Sequence, residues 1–121
     1  MPAITRMIAD KIVEVQPQRI FIDGFSQFRH LASDAFHLRR LVQSFFTYAT
    51  QSGATVLVSC DEPDNSRDRD FQSAADGVIT LQSSEAGRTV QISKFRGSAF
   101  HQGSHAMHLT GEGIVVAPLA A

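Results

Sequence analysis

Apolar residues recur at helical spacing at the start of the chain: Ile4, Met7, Ile8, Ile12 and Val15. That period predicts an amphipathic helix over 4–15, which Pro17 ends. Ile20-Phe21-Ile22 follows without polar interruption and runs into Asp23-Gly24. A short apolar run of this kind reads as a strand buried on both faces. Ser33 or Asp34 can cap a second helix, whose stripe is Leu38, Leu41, Val42, Phe45 and Ala49 and whose stop is Gly53. Residues 54–59 (ATVLVS) repeat the buried-strand pattern. Helix, strand, helix, strand with short connections predicts a parallel α/β layer with right-handed crossovers.

Beyond Cys60 the pattern changes. Residues 61–70 (DEPDNSRDRD) hold five acids and no periodicity, and read as a loop. Asp76-Gly77 opens a strand at Val78-Ile79-Thr80-Leu81, and residues 83–87 read as a turn. Thr89 to Ser93 alternate polar and apolar, as a half-exposed antiparallel strand does. Two short strands, His105 to Thr110 and Gly113 to Val116, complete the set, and Pro118 to Ala121 read as a frayed tail. The expected sheet therefore has parallel strands near 19–23, 54–59 and 77–82. An antiparallel hairpin near 88–96 and 105–109 follows them.

Composition narrows the function. The chain has 121 residues, the length of one domain. Its hydrophobic fraction of 43% and mean hydropathy of -0.06 belong to a folded chain. Eleven basic and twelve acidic residues give a net charge of -1, so no global field draws it to nucleic acid or an anionic membrane. No apolar run approaches the ~20 residues of a bilayer span. The N-terminal stretch carries Arg6, Asp10 and Lys11 where a signal peptide needs an apolar core. A single cysteine, Cys60, leaves no internal disulfide, and the expected compartment is the cytoplasm.

Candidate chemistry gathers at strand ends. Asp23 ends a strand where open parallel sheets bind ligands. A carboxylate there can organise magnesium, a cation that prefers oxygen ligands; an Asp-Gly turn is the plainer alternative. Ser59-Cys60-Asp61-Glu62 ends the next strand with a hydroxyl and two acids, or with simple capping groups. In Lys94-Phe95-Arg96-Gly97-Ser98 the two cations alternate onto one side of an extended chain, and can clamp a polyphosphate or stand in solvent. His101, His105 and His108 have no spacing suited to a metal, since residues three apart on a strand face opposite ways.

Taken in order, IFIDGFSQF, ATVLVSCDE, SAADGVITLQ, VQISKFRGSAFHQG and HLTGEGIVV resemble the C-terminal half of a KaiC-type domain. KaiC is the RecA-like ATPase of the circadian clock. The resemblance runs from about Ile4 to Val116, and KFRGS is its most specific stretch. It implies a partial RecA-like, phosphate-loop-NTPase α/β fold: a three-layer sandwich with a mostly parallel sheet and a C-terminal antiparallel hairpin. Residues 1–121 then form one truncated domain. Asp23 matches the Walker B aspartate, which supports magnesium. Ser59 matches the polar residue that senses the nucleotide state. Lys94 and Arg96 match the pair that reaches, in the family's hexamers, to the triphosphate bound by the adjacent subunit. Ser98 matches a residue near the base and sugar. Where the family often has His, two residues on, this chain has Phe100, with His101 next. Gly24 stands where the family commonly has Ser. Only Ser73 lies near the clock protein's phosphoacceptor pair.

No G-x-x-x-x-G-K-[ST] loop occurs in the 121 residues. The resemblance therefore implies a piece of an ATP-binding protein, or a shortened gene product, that is inactive alone. ATP and magnesium are cofactors of the parent protein; this chain need bind neither. In the RecA-like order the phosphate-loop strand lies between the strands at Val56 and Val78, so both have an unpaired edge. Self-association or docking onto full-length relatives is the expected partnership, without membrane or nucleic acid. The alternatives are a non-catalytic module that joins or caps rings of relatives, and an unrelated flavodoxin-like binding domain.

Overall fold

The computed structural model describes residues 3–60 and 69–119. Element order is α1 (Ala3–Val15), β1 (Arg19–Ile22), a 3-10 helix (Phe25–Leu31), α2 (Ala35–Gln51), β2 (Thr55–Val58), α3 (Arg69–Ala74), β3 (Gly77–Ser84), β4 (Gly87–Phe95), β5 (His105–Thr110) and β6 (Gly113–Ala117). The chain divides between Ala74 and Ala75 into two compact units, described in turn.

In the first unit, β1 and β2 pair in parallel with Ile20 beside Val56 and Phe21 beside Leu57. These are the neighbours that the helix-strand-helix-strand pattern requires. Helix α2 starts where Asp34 accepts a 2.8 Å hydrogen bond from the His37 amide. It ends where Gly53, at φ 88°, adopts the left-handed conformation that a side chain resists. Its buried face is Leu38, Val42, Phe45 and Ala49, the stripe read from the sequence. Against it pack Phe25, Phe28 and Phe71, with Ile22 and Val58 from the strands. The Phe25 ring is fully buried and centres the cluster. It lies 4.2 Å from Phe28, 5.3 Å from Phe46 and 5.2 Å from Phe71, centroid to centroid. Each fully buried side chain of this size stabilises the fold by about 1.5–3 kcal/mol.

Here the structure departs from the pattern read in the sequence. The strands are not covered on both faces: burial alternates along each, and Phe21 and Leu57 are 62% and 61% exposed. Only the face carrying Ile22 and Val58 meets the core. The 3-10 helix and α3 were not anticipated, because they are too short to display a period. Tertiary contact of Phe25, Phe28 and Phe71 holds them. The acidic stretch lies outside the described residues from 61 to 68, and α3 begins at Arg69.

The second unit is a four-stranded sheet in the order β3-β4-β5-β6, antiparallel throughout. The 77–84 strand, expected to extend the parallel set, instead forms a hairpin with β4. A connection of only Glu85 and Ala86 requires this, since parallel neighbours need a long crossover. The pairing of 88–90 with 105–107 follows the expected hairpin. β2 and β3 each stand at the end of their sheet. The tail is not frayed through Leu119: its amide donates to buried His105 Nδ1 at 2.8 Å.

Candidate functional site

At the carboxyl ends of β1 and β2 the backbone closes around one hydroxyl. The ladder's last bond runs from the Ser59 amide to the Ile22 carbonyl, at 3.0 Å. Beyond it the Phe25 amide donates to the Ser59 carbonyl at 2.7 Å. The Gly24 amide donates to Ser59 Oγ at 2.8 Å, and that hydroxyl donates to Asp23 Oδ1 at 2.6 Å. Ser59 thus accepts one proton and gives one, and a hydroxyl has only one to give. The short bond to the carboxylate is charge-assisted. Gly24 makes the turn possible: at φ 78° and ψ 38° it swings the chain into the 3-10 helix. Asp23 remains exposed. The Cys60 side chain is half-buried and packs against the phenylalanine core. Asp61 and Glu62 lie outside the described residues.

Lys94, Arg96, Ser98, Phe100 and His101 belong to the second unit. Lys94 pairs with Val78 across the hairpin and Phe95 with Gly77, but Ile79 pairs with Ile92. Ser93 is therefore an extra residue, a β-bulge, and its hydroxyl is 2.8 Å from that of Thr80. Strand alternation sends Lys94 and Arg96 to one face and Phe95 to the other. Phe95 is 48% exposed. Its ring covers two glycines. A Cβ on Gly77 would come within 3.0 Å of Phe95 Cδ2, and one on Gly97 within 3.2 Å of Cε1.

Beyond the last ladder pair, the Arg96 amide donates to the Asp76 carbonyl at 2.9 Å. Arg96 Nη1 donates to Asp76 Oδ1 at 3.1 Å. Asp76 was missed in the sequence. Its pairing depends on the bulge: an unbroken ladder from the 85–86 turn would put Phe95, not Arg96, opposite it. Ser98 Oγ donates to the Ala99 carbonyl at 2.9 Å, Phe100 is half-buried, and His101 is exposed.

Among the described residues, no group of three or more His, Cys, Asp or Glu could hold a metal ion. A magnesium ion asks for less, because one carboxylate and the phosphates of its ligand often suffice. Exposed Asp23, oriented by Ser59 at the strand ends, fits that use. No helix among the described residues is long and apolar enough to cross a membrane.

Parallel strands joined through a helix, with an acid and a hydroxyl meeting at their carboxyl ends, define an α/β unit whose strand ends lie where open parallel sheets place their sites. The family model described as "ATPase: KaiC" matches residues 1–121. The chain therefore belongs to the KaiC family of RecA-like ATPase domains. No curated protein matches it.

Proposed function

We propose that this chain forms the nucleotide-facing wall of a KaiC-type ATPase assembly and supplies an arm to the nucleotide of a neighbouring subunit. The observation that carries the reading is the 2.6 Å bond from Ser59 to Asp23 at the ends of two paired parallel strands. Asp23 is the Walker B aspartate. It would hold magnesium, which neutralises phosphate charge when bound. Ser59 orients the Asp23 carboxylate and, through Gly24, ties it to the turn that follows. A change at the carboxylate is thereby passed to the backbone, as a sensor of nucleotide state requires.

Lys94 and Arg96 form the arm. Alternation presents both cations on one face, where they can meet a triphosphate that the neighbour binds. The arginine offers a planar fork and the lysine a point charge. An arginine so placed stabilises charge developing on the terminal phosphate, and is worth on the order of a thousandfold in rate in related systems. Ser98, Phe100 and His101 would stand toward the sugar and base. Self-association, or assembly with relatives that carry a phosphate loop, follows from an arm that acts in trans. A role in timekeeping or signalling is the family's wider context.

The test uses an assembly that includes a phosphate loop. Arg96→Ala should leave the melting temperature nearly unchanged and greatly reduce ATP turnover. Mixing it with subunits lacking only the phosphate-loop lysine should restore part of the activity at mixed interfaces. Normal turnover by Arg96→Ala, or no recovery in any mixture, would remove the trans arm from the reading.

A further inference from the structure

We propose that Asp76 is an in-chain latch on Arg96: its carboxylate takes the guanidinium in the absence of phosphate and is displaced when phosphate arrives. This inference rests on the reading of Arg96 as a phosphate contact. It adds a residue that sets how tightly the arm takes up the anion.

The geometry supports an exchange of partners. Guanidinium nitrogens recognise carboxylate and phosphate oxygens through the same donor fork. Asp76 Oδ1, 3.1 Å from Arg96 Nη1, therefore uses a donor that a phosphate would use. The two side chains are 81% and 55% exposed, so the pair lies in high dielectric. Pairs of that kind add little to stability. The larger consequence of this contact is competition for the guanidinium. The backbone does not depend on the side-chain pair. The Arg96 amide holds the Asp76 carbonyl at 2.9 Å, and the bulge at Ser93, whose hydroxyl meets that of Thr80, sets this register. Arg96 can exchange a carboxylate for a phosphate by a side-chain rotation while the arm stays in place. Asp76 then becomes an unpaired negative charge beside a polyanion, which adds repulsion to the lost contact.

The experiment titrates the 121-residue chain at low salt with inorganic tripolyphosphate, which has no base or sugar. Binding is followed through the NMR signals of the Arg96 amide and guanidinium. Neighbouring Lys94 and Gly97 amides report binding in variants that lack the arginine. Asp76→Asn should tighten binding by about two- to tenfold, the range that an exposed ion pair and its local repulsion supply. Asp76→Ala should do the same. The gain should shrink as salt is raised, and should vanish in the Asp76→Asn/Arg96→Ala double variant. Amide signals of β3 and β4 that stay in place establish that the hairpin is intact.

If Asp76→Asn binds no more tightly while Arg96→Ala binds more weakly, the latch is wrong and the arm stands. If the gain persists without Arg96, Asp76 acts through general charge and the latch is again wrong. If Arg96→Ala binds tripolyphosphate as well as the parent chain, the arm reading and the latch fall together.

Discussion

Ser59 shows how much a single hydroxyl can organise. Removing it in Ser59→Ala strands the Gly24 amide and takes from the Asp23 carboxylate the 2.6 Å bond that orients it. Losing two such bonds at a half-buried site should destabilise the chain by about 1–2 kcal/mol, read as a lower urea midpoint at unchanged slope. Ser59→Thr, which keeps the hydroxyl, should retain most of that stability. Asp34 makes a second residue-level case. The hydrogen bond from the His37 amide, reinforced by the His37 ring 2.8 Å away, holds its carboxyl below the usual carboxylate range. The ionised cap is favoured in the folded chain. Its contribution is therefore complete above the unfolded carboxylate's pKa and is lost as pH falls through the lower, folded value. The His37 amide signal should titrate with a midpoint below that of an ordinary aspartate. Asp34→Asn should abolish the transition; a midpoint at or above the ordinary value would refute the cap's preference for the charged form.

Among the elements, the 3-10 helix and α3 depend most on their surroundings. Each is too short to be stable alone, and each offers an aromatic ring to α2. Phe25→Ala removes the ring around which Phe28, Phe45, Phe46 and Phe71 gather. It should destabilise the first unit by about 3–5 kcal/mol. Amide exchange should rise first in the 3-10 helix and α3, because these have the least secondary structure of their own. Equal protection in the variant and the parent chain would show that the cluster is not what holds them. Gly53→Ala should cost about 1–2 kcal/mol, because the left-handed backbone at φ 88° is strained for a side chain even where space is open. On the hairpin, the bulge at Ser93 is the element-level device that matters. It moves every residue beyond it by one place and so brings Asp76 opposite Arg96.

At the scale of the whole molecule, the parallel pair is the incomplete part. Parallel strands are normally covered on both faces. Here Phe21 and Leu57 lie side by side and exposed, and β2 has an edge that no described strand pairs. Hydrolysis of ATP needs a phosphate cradle, a metal and positioned cations together. The 121 residues contain no phosphate-loop motif. The chain alone should therefore release no phosphate from magnesium-ATP in a turnover assay. Steady release that Asp23→Ala abolishes would overturn this expectation.

The first helix, α2 with its stripe, and the two apolar strands were legible because local sequence decides them: period, cap and glycine stop act within a few residues. The family was legible for a related reason. Its ordered stretches, from IFIDGFSQF through KFRGS to HLTGEGIVV, can be read without knowledge of packing, and the family model matches residues 1–121. The alternation of burial in β1 and β2 was not legible, because an apolar residue looks the same in sequence whether its face is covered or bare. Phe25, Phe28 and Phe71 came from segments with no period, and only their contact in space makes them a core. The register of β3 on β4 was decided last. A bulge has no side-chain period of its own, yet it selects Asp76 as the partner of Arg96 through cross-strand bonds that exist only once the sheet has formed.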